Sequence, residues 1–243
     1  MIKIEFGYTD SVVAKYTPIK PMVDCLPEWY KNLPKYPDWA SKCPIERLMN
    51  KQHQTIKACP PVFDYLTSGY MMPWIYESYF KREKDKNEIS YMKYYSSNEK
   101  YIGNFESYQF PKLKTCFFKV NQPWSVKTPK GYSCLYFQPF YNFEERYSIL
   151  PAVVDTDKFH NISIVGYMLQ DDFKIKPNEP LVCVLPFKRD EFKHELKQYE
   201  KDESGKSVIG ETHMNLGVAT SAEHNLYLHN SYRILSWVKK IFK

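Results

Sequence analysis

The sequence predicts a mainly β fold of the α+β class: a distorted barrel or sandwich of antiparallel strands with an N-terminal proline-rich arm and C-terminal helices. Three observations carry this. Aromatic residues make up 17% of the 243 positions, with 21 Tyr against 8 Gly, a bias that favours strands and broad aromatic contact surfaces. Short apolar-alternating runs recur at spacings of roughly 8–15 residues between turn-forming residues, as in antiparallel sheets. After Pro186 the pattern changes to charged stretches with helical spacing.

Residues 1–60 open with a strand, Met1 to Phe6, and then become proline-rich through Pro18, Pro21, Pro27, Pro34, Pro37 and Pro44. Leu26 to Pro34 reads as a helical turn held between prolines, with Trp29 and Leu33 at i, i+4 spacing. Ile45 to Met49 adds a further turn. This segment fits a strap packed on another surface better than a core of its own. Cys59 to Gly69 is the clearest short helix, with Pro61 near the start, Val62, Tyr65 and Leu66 on one face, and Gly69 as the stop. Tyr70–Tyr76 reads as a strand and Lys81–Glu88 as a charged hairpin or loop. Further strands are expected at Ile89–Tyr95, Thr115–Val120, Gly131–Phe137, Ile149–Val154, Ile162–Leu169 and Leu181–Leu185, with turns at Asn121–Trp124 and Thr128–Gly131. Arg189–Glu203 carries a narrow stripe of Phe192, Leu196 and Tyr199 and reads as a surface helix. Ser204–Gly217 is loop, and Ser221–Lys240 is an amphipathic helix with Leu226, Ile234, Leu235 and Val238 facing inward and a basic end. The expected organisation is therefore an arm over 1–60, a β domain over 61–188 and a helical extension over 189–243.

The totals narrow the function classes. With 43% hydrophobic residues a sizeable core can be buried. No run of about 18 apolar residues is present, so no membrane span is expected, and the charged N-terminal strand does not read as a signal peptide. An intracellular protein, or one built into a particle assembled inside a cell, is expected. The six cysteines show no Cys-x-x-Cys pair and read as thiols of the core. The formal charge of +6 is mild and its lysines are spread. Aromatics interleaved with Lys93, Lys112, Lys114, Lys119 and Lys127 keep a single-stranded nucleic-acid surface open.

Most chemical motifs dissolve on inspection. Gly205-Lys206-Ser207 lacks the upstream glycine of a phosphate loop, since position 200 is Glu. His194-Glu195 has no second histidine at zincin spacing, and His213, His224 and His229 form no ligand set, so no metal site is expected. No Ser or Cys stands in a nucleophile elbow. What remains is Leu150 to Ile164, an apolar run ending in Asp155 and Asp157 before a second apolar-alternating run. A strand, a sharp turn bearing two carboxylates and a return strand would be written this way. Two such acids can bind a cation, orient a water, accept from a sugar hydroxyl or cap the turn.

Gly131–Phe187 resembles the trimeric dUTPase and dCTP-deaminase superfamily, whose fold is the β-clip. The family motif Gly-Val-Ile-Asp-Ser-Asp-Tyr-Arg-Gly-Glu-Ile is met here by Ala152-Val-Val-Asp-Thr-Asp-Lys-Phe-His-Asn-Ile162, with matches at Val153, Asp155, Asp157 and Ile162. Pro177–Pro180 followed by Leu181–Leu185 stands where the family has a Gly-Asp-Arg turn and its next strand, and Gly131–Pro139 looks like the strand feeding the family's Arg-Ser-Gly motif. The resemblance implies a β-clip barrel or sandwich, a homotrimer, and Asp155 as the acid that would orient an attacking water. It places Asp155, Asp157, Lys158 and Asn161 as candidate ligand-binding residues. The departures are specific: Pro139-Phe140-Tyr141, or the nearby Tyr141-Asn142, stands where the family has Arg-Ser-Gly, Lys158 replaces the tyrosine that stacks on deoxyribose, Cys183 replaces a glutamine, and a Gly-rich, Phe-containing C-terminal arm is missing.

Charge neutralisation and positioning of a triphosphate would thus be largely absent. The expectation is a non-catalytic protein using a degenerate dUTPase-like scaffold for assembly, without cofactor. The alternatives are a nucleotide-binding or nucleotide-hydrolysing protein, to which Mg²⁺ would belong, and a single-stranded nucleic-acid-binding accessory protein. With Cys-Pro-Pro-Val-Phe-Asp-Tyr-Leu-Thr-Ser-Gly-Tyr over Cys59–Tyr70, Pro-Trp-Ser-Val-Lys-Thr-Pro-Lys-Gly-Tyr-Ser over Pro123–Ser133 and Leu-Pro-Phe-Lys-Arg over Leu185–Arg189, the whole chain also resembles uncharacterised proteins of tailed bacteriophages. That resemblance implies a phage origin, a place in the host cytoplasm or the virion, and other phage proteins as partners.

Overall fold

The computed structural model describes residues 3–39, 42–43, 54–85, 90–96, 102–105, 112–113 and 115–196. The chain divides into two compact units: Met1–Pro27 with Thr67–Asp190, and Glu28–Leu66 with Glu191–Lys243.

The first unit is built of antiparallel strands in three open sheets among the described residues, not a closed barrel. Sheet one has the order β1 (Glu5–Tyr8), β7 (Phe117–Lys127), β11 (Asn161–Met168), β9 (Tyr147–Ile149). A further strand, β6 (Ile102–Phe105), pairs with the first half of β7, while β1 pairs with Trp124–Lys127. Sheet two has the order β10 (Ala152–Val154), β8 (Tyr132–Phe137), β13 (Pro180–Lys188), β3 (Tyr70–Pro73), β2 (Lys20–Pro21). Sheet three has the order β12 (Asp172–Ile175), β4 (Ser78–Lys84), β5 (Ser90–Ser96). The mainly β expectation is met. Helix α1 (Ser11–Tyr16) is capped by Asp10, whose carboxylate accepts from the Val12 and Val13 amides, and it buries Val13.

Trp74, just past β3, joins the three sheets. Its ring lies 5.9 Å from Phe80 of sheet three and 5.6 Å from Tyr147 and 6.1 Å from Phe118 of sheet one. Its Nε1 donates to the Tyr147 hydroxyl at 2.8 Å, which in turn donates to the Pro180 carbonyl at 3.1 Å. Phe173 stacks on Phe80 at 4.9 Å and on Tyr147 at 5.7 Å. On the opposite side of sheet two, Met22, Met71 and Cys183 form a smaller cluster. None of the cysteines stands in a disulfide among the described residues, and Cys116, Cys134 and Cys183 are buried. Burial pushes the Cys183 thiol up to about 12, so it stays protonated and unreactive.

In the second unit, helix α2 (Glu28–Asn32) buries Tyr30, and the proline-rich strap is held by side chains from residues 54–57. Thr55 Oγ1 donates to the Pro34 carbonyl at 2.5 Å and its amide to the Lys35 carbonyl at 2.9 Å. Lys57 Nζ donates to the Tyr30 carbonyl at 2.6 Å and lies 4.6 Å from the Tyr30 ring centroid. Helix α3 (Pro60–Thr67) is the helix read from the sequence, and the chain turns away from it at Gly69, with φ +81°.

Several expectations narrow or change. Of the hairpin and the loop expected at Lys81–Glu88 the structure has the hairpin: β4 runs to Lys84 and pairs with β5, Lys84 opposite Ser90, with Lys81 turned to solvent and Phe80 inward. Asn121–Trp124 does not turn: β7 continues through it, with Pro123 between the stretches paired to β6 and β1 and opposite a register shift in β11. A missing N–H is tolerated at such a bulge. Ile149–Val154 is divided at Leu150-Pro151 into strands of different sheets. Residues 189–196 form no helix, and Phe192 and Leu196 are exposed. Ile45–Met49, the rest of the expected helix after residue 196 and the terminal helix lie outside the described residues.

Gly166 of β11 shows how closely sheet one is packed. A Cβ there would meet Phe118 Cζ at 2.5 Å and the Ser148 carbonyl oxygen at 2.8 Å. Gly166→Ala is expected to lower stability by about 1–3 kcal/mol through overpacking, read as a lower urea midpoint; an unchanged midpoint would contradict this packing.

Candidate functional site

The turn between β10 and β11 carries Asp155 and Asp157. Within it the Lys158 and Phe159 amides donate to the Asp155 carbonyl at 2.8 and 2.9 Å. Thr156, fully buried between the acids, pins the turn inward: its Oγ1 lies 2.8 Å from Thr128 Oγ1 and 3.3 Å from Cys134 Sγ. With Thr156 directed into the core, the side chains of Asp155 and Asp157 fall on the opposite side of the turn. There they meet the start of β8 and the residue that follows β13.

Arg189 is that residue. Its Nη1 lies 2.8 Å from Asp155 Oδ1 and 2.9 Å from Asp157 Oδ1, and its Nη2 donates to Asp157 Oδ2. Ser133 Oγ donates to Asp155 Oδ1 at 2.7 Å and accepts from Arg189 Nη1 at 3.0 Å. The Gly131 amide donates to Asp157 Oδ2 at 2.8 Å, and the Arg189 amide returns a bond to the Gly131 carbonyl at 2.8 Å. Gly131 occupies the third position of a turn closed by the Tyr132 amide on the Pro129 carbonyl, with φ +85°, a conformation glycine takes without strain. The Asp157 side chain is only 4% exposed, against 37% for Asp155 and 31% for Arg189.

One guanidinium thus bridges two carboxylates and ties the β10–β11 turn to the ends of β8 and β13. Planar fork geometry makes arginine suited to this role. The Arg189 guanidinium and the Gly131 N–H hold Asp157 down at about 2. The Ser133 hydroxyl and then Arg189 lower Asp155. Both acids are therefore ionised at neutral pH, the opposite of a carboxyl tuned for general acid work.

The pH consequence has a definite sign. Asp157 is depressed from 3.8 to about 2, so its contribution to stability is present above pH 4 and is lost as pH falls through 2. Glu83, held at about 2 by Lys93, the Tyr91 hydroxyl and Lys81, acts in the same window. Thermal midpoints should fall between pH 4 and pH 2, and Asp157→Asn should flatten that fall. An equally steep fall in Asp157→Asn would contradict the assignment.

Of the four candidates from the sequence, the structure brings Asp155 and Asp157 together. Lys158 lies at the rim, its Nζ 3.9 Å from Asp155 Oδ2 and the side chain 65% exposed. Asn161 begins β11 opposite Ser125 and shares no hydrogen bond with the acid pair among the described residues. Sequence reasoning did not find Arg189, Ser133 and Gly131 as partners of the acids. The available signal was that β8 and β13 were both expected strands, so a cation directly after one and a Pro-Lys-Gly turn before the other could meet only if those strands paired. The lysines proposed as a nucleic-acid surface do not gather into one stripe: Lys93 lies on sheet three, and Lys119 and Lys127 sit on β7 roughly 25 Å apart along the strand. Lys112 is exposed, and Lys114 lies outside the described residues. No group of three or more His, Cys, Asp or Glu that could hold a metal ion occurs among the described residues, and no helix there is long and apolar enough to cross a membrane.

No family model matches the chain, and no curated protein matches it by sequence. Solved structures to which it is similar include a dUTPase from phage phi11 of S. aureus, at 16% identity over 37% of this chain and 75% of that one, with TM-score 0.28. A dUTPase of Staphylococcus bacteriophage 80alpha aligns at 12% identity over 56% and 85%, with TM-score 0.33. The EIAV dUTPase aligns at 8% identity over 51% and 98%, with TM-score 0.30. At these identities and TM-scores the comparison assigns neither an activity nor a site to this chain.

Proposed function

We propose that the protein is non-catalytic and serves as an oligomer-forming scaffold, with Asp155 and Asp157 acting as half of an internal latch. The observation that carries this reading is the bridging by Arg189. An acid that orients a nucleophilic water or holds Mg²⁺ must present an oxygen to the substrate. Asp157 has both oxygens engaged, Oδ1 by Arg189 and Oδ2 by Arg189 and Gly131. Asp155 shares Oδ1 between Ser133 and Arg189, while its Oδ2 has only Lys158 Nζ nearby, at 3.9 Å, so the latch rests chiefly on Asp157.

Sheet two also supports assembly. Val153, Leu135 and Leu185 form one cross-strand row on its outward face, with Val153 59% exposed, and Phe187 lies exposed two residues beyond Leu185. Apolar rows on a sheet edge are places where chains associate. The trimer, the phage origin, and the placement in virion or host cytoplasm with other phage proteins as partners rest on the sequence resemblances.

Sedimentation velocity and a nucleotide panel that includes dUTP with Mg²⁺ test the reading. The expected result is an oligomer, weakened by Val153→Arg, with no turnover of any nucleotide. Hydrolysis of dUTP that disappears in Asp155→Asn would overturn the non-catalytic assignment, and a monomer at every concentration would overturn the scaffold.

A further inference from the structure

Sheet three turns an unusual face to solvent. Strict alternation along its strands sends Phe80, Phe173 and Met92 into the core and a second set outward. The outward set forms cross-strand rows: Lys174, Tyr79 and Tyr95 in one, Asp172, Lys81 and Lys93 in the next, Glu83 and Tyr91 in the third. Tyr79 and Tyr95 lie nearly parallel, with ring centroids 6.1 Å apart and planes at 22°. Tyr95 is 58% exposed. At this end of the sheet an open hollow of about 600 Å³ is lined by Glu77, Ser78, Tyr79, Tyr95, Ser96 and Lys174.

We propose that this hollow is a carbohydrate-binding site, in which a sugar ring packs against Tyr95, itself stacked on Tyr79 and standing on the edge strand β5, and its hydroxyls bond to Glu77 and Lys174. Three features select that chemistry. The volume falls within the range of about 300–1,000 Å³ usual for small-ligand sites. Two of the lining residues are tyrosines and Tyr95 is exposed; the apolar C–H face of a pyranose stacks on an aromatic ring, while its hydroxyls project sideways to the perimeter. There Glu77 can accept and Lys174 can donate; neither side chain is in an ion pair among the described residues, and charged partners make hydrogen bonds about twice as strong as neutral ones.

The charge balance argues against a nucleic-acid strand. Lys81, Lys93 and Lys174 on this face are matched by Glu77, Glu83 and Asp172. Two of the three lysines are committed within the sheet: Glu83 binds Lys81 at 3.1 Å and Lys93 at 2.5 Å, and accepts from the Tyr91 hydroxyl at 2.9 Å. A phosphate backbone needs a surplus of cations to release its counterions, and a neutral, hydroxyl-rich ring does not.

The test is calorimetry and saturation-transfer NMR on the full chain with maltotriose, cellotriose and triacetylchitotriose, and with oligo(dT) as the competing class. Saturable binding of at least one sugar is expected, weakened about tenfold or more by Tyr95→Ala and several-fold by Lys174→Ala, with Tyr95→Phe retaining most of it. Tyr95 and Lys174 are exposed, so unchanged thermal midpoints will show that the variants fold; should Tyr95→Ala unfold, Lys174→Ala and Tyr95→Phe carry the test. No saturable binding of any of the three sugars, binding indifferent to these substitutions, or oligo(dT) binding that depends on Tyr95 would each overturn the proposal.

Discussion

Trp74→Ala should be among the most damaging single substitutions in the β unit, lowering stability by about 3–5 kcal/mol. The indole is 1% exposed and touches aromatic rings from sheets one and three while belonging to the strand end of sheet two. Its removal would leave a cavity where the three sheets meet and would take the donor from the Tyr147 hydroxyl. Against a total of about 5–15 kcal/mol for a typical domain, that is a fifth or more of the stability. Trp74→Phe separates the terms, because it keeps most of the aromatic contact and loses the 2.8 Å hydrogen bond, for which about 0.5–1.5 kcal/mol is expected. Urea unfolding followed by near-UV circular dichroism measures both. If the alanine variant unfolded at the same urea concentration as the parent, the three sheets would not share one core.

The parts of the fold legible from sequence were those where one local rule dominates. Alternation of apolar and polar residues identified β5, β8 and β11, and proline with glycine framed α3. What was left open or missed has physical causes. The choice between hairpin and loop at Lys81–Glu88 stayed open, because a strand with one solvated face and few inward residues, such as the end of β4, reads as either. Pro123 reads as a break unless the bulge that accommodates it is known. Leu150-Pro151 carries the chain from sheet one to sheet two, and a sheet change leaves no mark in an apolar run. The acid pair was legible as a turn, because two carboxylates beside an apolar strand say that much. Its cation was not, since Arg189 stands 32 residues from Asp157 and meets it only through the pairing of β8 with β13. Spacing along the chain could not distinguish an acid awaiting a ligand from one already neutralised.

Arg189→Met makes that distinction experimentally. The substitution removes the bridging cation from a nearly buried Asp157 and leaves the two carboxylates with the Ser133 hydroxyl, the Gly131 amide and, at 3.9 Å from Asp155, the exposed Lys158 ammonium. Breaking a partly buried ion pair by removing one member is more harmful than removing both, because the surviving charge stays desolvated. The thermal midpoint should therefore fall by several degrees in Arg189→Met and recover in part when Asp155→Asn and Asp157→Asn are added. Arg189→Lys should lie between, since an ammonium keeps the charge but not the two-pronged geometry. The pH profile provides an independent readout. Arg189 is the largest cause of the low Asp157 value, so the loss of stability between pH 4 and pH 2 should shrink in Arg189→Met. If instead Arg189→Met were as stable as the parent, with the same acid profile, the guanidinium would not be the latch. The two acids would then be available to a ligand, and the case for a non-catalytic scaffold would lose the observation on which it rests.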